Sequence, residues 1–122
     1  MKKIIALSVI VLMSLVSFAQ DVPAPGNWAK KNAEQYVAFA TKEWNLTEEQ
    51  QEVIYSYRLD FIARRSHVYQ QKKAGKLTQE EVKTQVQAIQ KDISQKFTKY
   101  LDIKWKEYYR VNKAFDESRK GK

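Results

Sequence analysis

From Trp28 onward, apolar side chains return at intervals of three and four residues, and no stretch alternates apolar with polar positions. The first spacing is that of a helix with one buried face; a half-buried strand would need the second. Ala29, Ala33, Tyr36, Val37, Ala40 and Trp44 mark one face of a first helix over about residues 28–43, with Asn27 as its candidate cap. The second helix opens at Thr47-Glu48-Glu49-Gln50. There the Thr47 hydroxyl can accept from the amide three residues on while Gln50 reaches back, and the glutamates meet the positive end of the helix dipole. Leu46 precedes the cap and can staple onto the first turns. Val53, Ile54, Tyr57, Phe61, Ile62, Val68 and Tyr69 form the stripe, which thins around Arg64 and Arg65. Lys72, Lys73 and Gly75 then give cations for the last carbonyls and a left-handed stop.

Leu77-Thr78-Gln79-Glu80-Glu81 repeats this logic, with Thr78 and Glu81 as the reciprocal pair. Val82, Val86, Ile89, Ile93, Phe97 and Tyr100 form the cleanest stripe in the chain. A break or kink is expected at 101–103. Asp102 would then cap a fourth helix carrying Trp105, Tyr108, Tyr109, Val111 and Phe115. One continuous helix is the alternative, since neither glycine nor proline separates the two. The expected fold is all-α: antiparallel helical hairpins of three long helices with room for a fourth, in one domain over residues 28–117. Residues 20–27 form a flexible lead-in, and 118–122 a fraying tail.

Met1 to Ala19 has the form of a secretory signal peptide: Lys2 and Lys3, an apolar run to Val16, then Ser17-Phe18-Ala19 at the cleavage positions. The run is short for a bilayer span, which needs about 20 apolar residues. Cleavage after Ala19 and export to a periplasm or beyond are the expectation, leaving no membrane span in the mature chain.

The 122 residues include no cysteine, one histidine and three glycines. A disulfide scaffold, a zinc-thiolate site and a thiol nucleophile are thereby excluded, and a phosphate-cradling glycine loop is disfavoured. His67 has Gln70 and Gln71 where a helical zinc site would place its second ligand, so no metal or other cofactor is expected. The carboxylate groups at Glu48/Glu49/Glu52 and Glu80/Glu81 are accounted for by helix dipoles, and Asp116/Glu117 lies in a charged tail. The reading is of a non-enzyme.

The formal net charge is +8. Residues 20–57 sum to −3 and residues 77–95 to −1, whereas 58–76 and 96–122 each sum to +5. Aromatic residues interleave with both basic blocks. Solvated faces around an aromatic core would produce this pattern. So would a cationic, ring-bearing surface that attracts unfolded chains and holds them by apolar contact. A nucleic-acid surface is disfavoured by export.

The segment Leu46-Thr47-Glu48-Glu49-Gln50 resembles the Leu-Thr-x-x-Gln motif of the Spy/CpxP-type periplasmic proteins, and the layout over about residues 28–116 is similar to theirs. The second motif that many relatives carry is degenerate here, where Leu101-Asp102-Ile103-Lys104-Trp105 lacks both Thr and Gln. The resemblance implies a cradle-shaped homodimer that binds unfolded or misfolded clients without ATP, or damps an envelope-stress sensor. The expected function is therefore an exported ATP-independent chaperone or stress-response binder. The residues expected to contact clients are Arg58, Arg64, Arg65, Tyr69, Lys96, Lys99, Trp105 and Arg110. Leu46, Thr47, Gln50, Gly75, Leu77, Thr78 and Glu81 are motif residues with structural roles. The alternatives are an adaptor for one specific protein partner and a binder of anionic polymers or membrane surfaces.

Overall fold

The computed structural model describes residues 23–120, and the expected signal peptide lies outside them. Four helices make up the described chain, with no strand among them: α1 (Asn27–Trp44), α2 (Glu48–Lys73), α3 (Gln79–Leu101) and α4 (Trp105–Lys120). The fold is all-α. None of these helices is long and apolar enough to cross a membrane.

Both capping boxes form. Thr47 Oγ1 accepts from the Gln50 amide at 3.1 Å and Gln50 Oε1 from the Thr47 amide at 2.9 Å. Thr78 and Glu81 repeat the exchange at the same two distances. α2 stops by a Schellman-type closure: the Gly75 amide donates to Lys72 O and the Lys76 amide to Gln71 O, with Gly75 at φ +77°. Two expected caps differ. Asn27 is the first residue of α1, whose cap position is Gly26 with no side-chain bond. Asp102 ends α3 instead of starting α4: it adopts φ 54°, and the next amide, on Ile103, reaches back to Thr98 O. Aspartate tolerates the left-handed region better than most residues, so it can end a helix without glycine. Asn45 does the same after α1, at φ 52°. α4 stays helical through Lys120, past the Ser118 at which its charged sequence suggests fraying.

The helices form a ring in which each packs on its chain neighbour and α4 returns to α1. Arg64 meets Asp92 and Tyr57 meets Tyr100, so α2 and α3 run in opposite directions. Trp44 meets Glu107 while Tyr36 meets Asn112, so α1 and α4 do the same. The core is built largely from rings. Tyr36 is fully buried between Phe97 and Phe115 in edge-to-face contacts at 5.9 and 5.2 Å, and Phe97 packs on Tyr108 at 4.8 Å. Small residues of α1 (Ala29, Ala33 and Ala40) let it lie close to its neighbours, and Ile54, Ile93 and Val111 fill the remaining space.

Candidate functional site

On α2, Arg58, Phe61 and Arg65 fall at i, i+3 and i+7 and share one face. They lie where the apolar stripe thins. α4 is drawn toward α1 by Phe115 against Tyr36 and Phe39, and by the Glu43–Arg110 ion pair at 3.0 Å. A groove of about 570 Å³ remains between α4 and α3. Gln87, Lys91 and Ser94 of α3 wall it on one side, and Tyr109, Lys113 and Glu117 of α4 on the other, with Arg58, Phe61 and Arg65 lining it from α2. A second opening of about 440 Å³ is lined by Trp28, Tyr69, Lys73 and Arg119 and shares Arg58, Phe61, Arg65 and Asp116 with the first. The two openings thus run over one floor.

Arg58 is 9% exposed. Its guanidinium carbon lies 4.5 Å from the Tyr36 ring centre, 5.3 Å from Phe61 and 5.4 Å from Phe115, and its Nε donates to Asn32 Oδ1 at 3.3 Å. Ring faces carry partial negative charge, so this cage offsets part of the cost of burying the cation. Burial weakens the guanidinium's hold on its proton, which the negative charge of Asp116 counteracts. Burial likewise raises the pKa of both Tyr36 and Tyr108, so each stays a neutral phenol. Arg65 stacks over Phe61 at 5.4 Å and Tyr69 at 5.7 Å, and its Nε is buried without a hydrogen-bond acceptor.

The expected contact residues fall into two groups, with Lys99 in neither. Arg65, Tyr69 and Trp105 line the two openings. Arg58 does too, but as a caged floor residue and not on an outer face, because its side chain fills the space among three rings. Arg64, Lys96 and Arg110 are held by carboxylates away from the openings. Arg64 bonds Asp92 at 2.8 Å and Asp60 at 3.3 Å, and Lys96 reaches the same Asp92 oxygen at 3.4 Å. Burial opposes ionisation of Asp92, but the Arg64 hydrogen bond and the Lys96 charge overcome it and hold its pKa down. Arg110 grips Glu107 through Nε and Nη2, and together with the Trp44 indole it lowers the Glu107 pKa to about 2. Lys99 is exposed on α3 and lines neither opening.

Several groove residues escape the sequence reading. Trp28 and Tyr109 are 61% and 62% exposed, and they line the openings together with Trp105 at 63%. The signal was available for Trp28, which is bulky and lies outside the first helix's apolar face. Lys91, Arg119 and Lys120 could not be placed without knowing that α4 crosses back toward α1. Among the described residues, no cation lining either opening makes an ion pair.

Leu46 is buried and Leu77 half-buried. His67 shares a cavity of about 60 Å³ with Pro23, Pro25 and Gln70. Among the described residues no group of three His, Asp or Glu side chains is arranged to hold a metal ion. Comparison of the chain with protein-family models, curated proteins and solved structures finds no match in any of the three.

Proposed function

We propose that this protein is an exported, ATP-independent chaperone or envelope-stress binder that holds unfolded polypeptide in the groove beside α4. The supporting observation is the gathering of exposed rings and unpaired cations over one floor. Among the described residues, four of the five large apolar side chains most open to solvent (Trp28, Tyr69, Trp105 and Tyr109) border the openings. Exposed rings clustered in a concavity mark an interaction surface, whereas single ones scattered over a face do not. The surrounding lysines and arginines add long-range attraction for acidic segments, and their flexible stems adapt to varied sequences. The expected signal peptide and the Leu-Thr-x-x-Gln resemblance support an exported binder of this class.

The test is suppression of aggregation. Purified protein is added near equimolar to several unrelated refolding clients, and light scattering is followed. Broad suppression, reduced when Trp28 and Trp105 are replaced by Ser, is the expected outcome. Suppression of none, at low salt, sinks the chaperone reading. Saturable binding to a single envelope protein would favour the adaptor alternative. Binding to anionic vesicles that survives ring replacement but vanishes with salt would favour the membrane-surface alternative.

A further inference from the structure

We propose that Arg58 and Arg65, flanking Phe61 on the groove floor, bind the carboxylate of an extended peptide segment whose neighbouring apolar side chains lie against the exposed rings. The assignment of a peptide as ligand rests on the client-binding reading.

Both guanidiniums are over-supplied with donors. Arg58 spends its Nε on Asn32, and no hydrogen bond or ion pair engages its terminal nitrogens among the described residues. Arg65 has no ion pair among them either, and its Nε lacks an acceptor. A buried cation without a counter-ion is costly, and ring faces recover only part of that cost. The two charges also act on each other: Arg65 adds to the destabilisation of protonated Arg58. A carboxylate set between them would relieve both penalties and satisfy two forks made for planar oxygen pairs.

The setting selects among anions. Arg58 and Phe61 are buried below the rims of α3 and α4, which favours an extended chain that can enter the groove over a flat lipid surface. Trp105 and Tyr109 beside the floor favour an apolar flank on either side of the acid. Asp116 lines both openings and lies close enough for its charge to act on Arg58, but among the described residues it makes no ion pair. It is the resident competitor for an incoming carboxylate.

The experiment titrates the purified protein against two peptides carrying the same neutral dye, one with a single glutamate between phenylalanine and leucine and the other with glutamine in its place. Fluorescence anisotropy reads the affinity, and circular dichroism verifies the helical fold of each variant. The glutamate peptide should bind about tenfold tighter, as a charge-assisted pair would provide. Arg65→Gln should abolish this preference and Arg65→Lys should keep part of it. Asp116→Asn should tighten the glutamate peptide alone. Lys83→Gln removes the same charge from an exposed site away from the groove and should leave the preference intact. Equal affinity for the two peptides overturns the proposal, as does an equal loss in Lys83→Gln and Arg65→Gln, which would reduce the effect to net charge. Displacement by inorganic phosphate in preference to acetate overturns the carboxylate assignment. A glutamate preference in a protein that suppresses no aggregation would sink the chaperone reading and leave the anion site standing. Suppression without the preference would do the reverse.

Discussion

Arg64 and Arg65 are neighbours on α2, and the turn of about 100° per residue sends their side chains to different surroundings. Arg64 enters the seam between α2 and α3, where Asp60 and Asp92 take its hydrogens and Lys96 joins the same oxygen of Asp92. Arg65 turns to the groove floor, where it meets the faces of Phe61 and Tyr69 and makes no ion pair among the described residues. The seam spends its charge internally and has little left to offer a ligand. The floor keeps its charge available at a cost to the fold. Positive charge in a sequence therefore says little about binding until its counter-ions are located.

The contrast can be broken at several points. Arg58 should give the largest effect on stability. Arg58→Ala removes a side chain packed among three rings and should cost about 2–3 kcal/mol, read by urea unfolding. Arg58→Met, which fills the space without the charge, should stay within about 1 kcal/mol of the parent or exceed it. Equal losses in both variants would show that the charge itself, not the filled volume, stabilises the cage.

Arg64→Met tests the paired side and should cost about 1 kcal/mol. That is the upper end for ion pairs this open to solvent, since the Arg64 and Asp92 side chains are 29% and 41% exposed. Asp92 should also lose its strongest partner, so its pKa should rise in a carboxyl NMR titration. An unchanged Asp92 titration would mean that Lys96 alone holds it ionised.

Acid sharpens the comparison at the other end of the bundle. Glu107 is held at about 2, below its ordinary value of 4.5, by Arg110 and the Trp44 indole. A depressed carboxylate pKa contributes stability above the ordinary value, and that contribution fades as pH falls through the folded one. The Trp44 indole N–H resonance, which reports the carboxylate it donates to, should therefore shift with a midpoint at about 2. A midpoint near 4.5 would show that the pair does not hold the carboxylate.

The smallest effect is expected at Arg65→Gln. It removes a cation with no ion-pair partner and should change stability by less than about 0.5 kcal/mol. A larger loss would mean that its stacking on Phe61 and Tyr69 supports the fold as well as the groove.

The helices were legible because their signals are local. A capping box needs four consecutive residues, and Thr47 to Gln50 and Thr78 to Glu81 supply them in full. The end of α3 was legible as a break but not as a cap, because aspartate serves either end of a helix. The candidate site was legible only in part. Tyr69, Arg65 and Trp105 lie in blocks of basic and aromatic residues, which sequence shows. Which basic residues are neutralised depends on partners 28 residues away, as for Arg64 and Asp92, or 67 away, as for Arg110 and Glu43. No local pattern carries that information. Arg58 shows the limit most clearly: it occupies a position on the buried face of α2 where the helical period calls for an apolar residue.

Arg58 also bears on why the helices leave a gap at all. An apolar residue at this place could be covered completely by its neighbours, as the rings elsewhere in the bundle are. A guanidinium cannot be sealed in that way, because stripping the hydration from its terminal nitrogens costs more than the added contact returns. Solvation of that charge then works in the same direction as the contacts that draw α4 toward α1. The charge sets the shape of the surface around it, and the shape would change if the charge were removed.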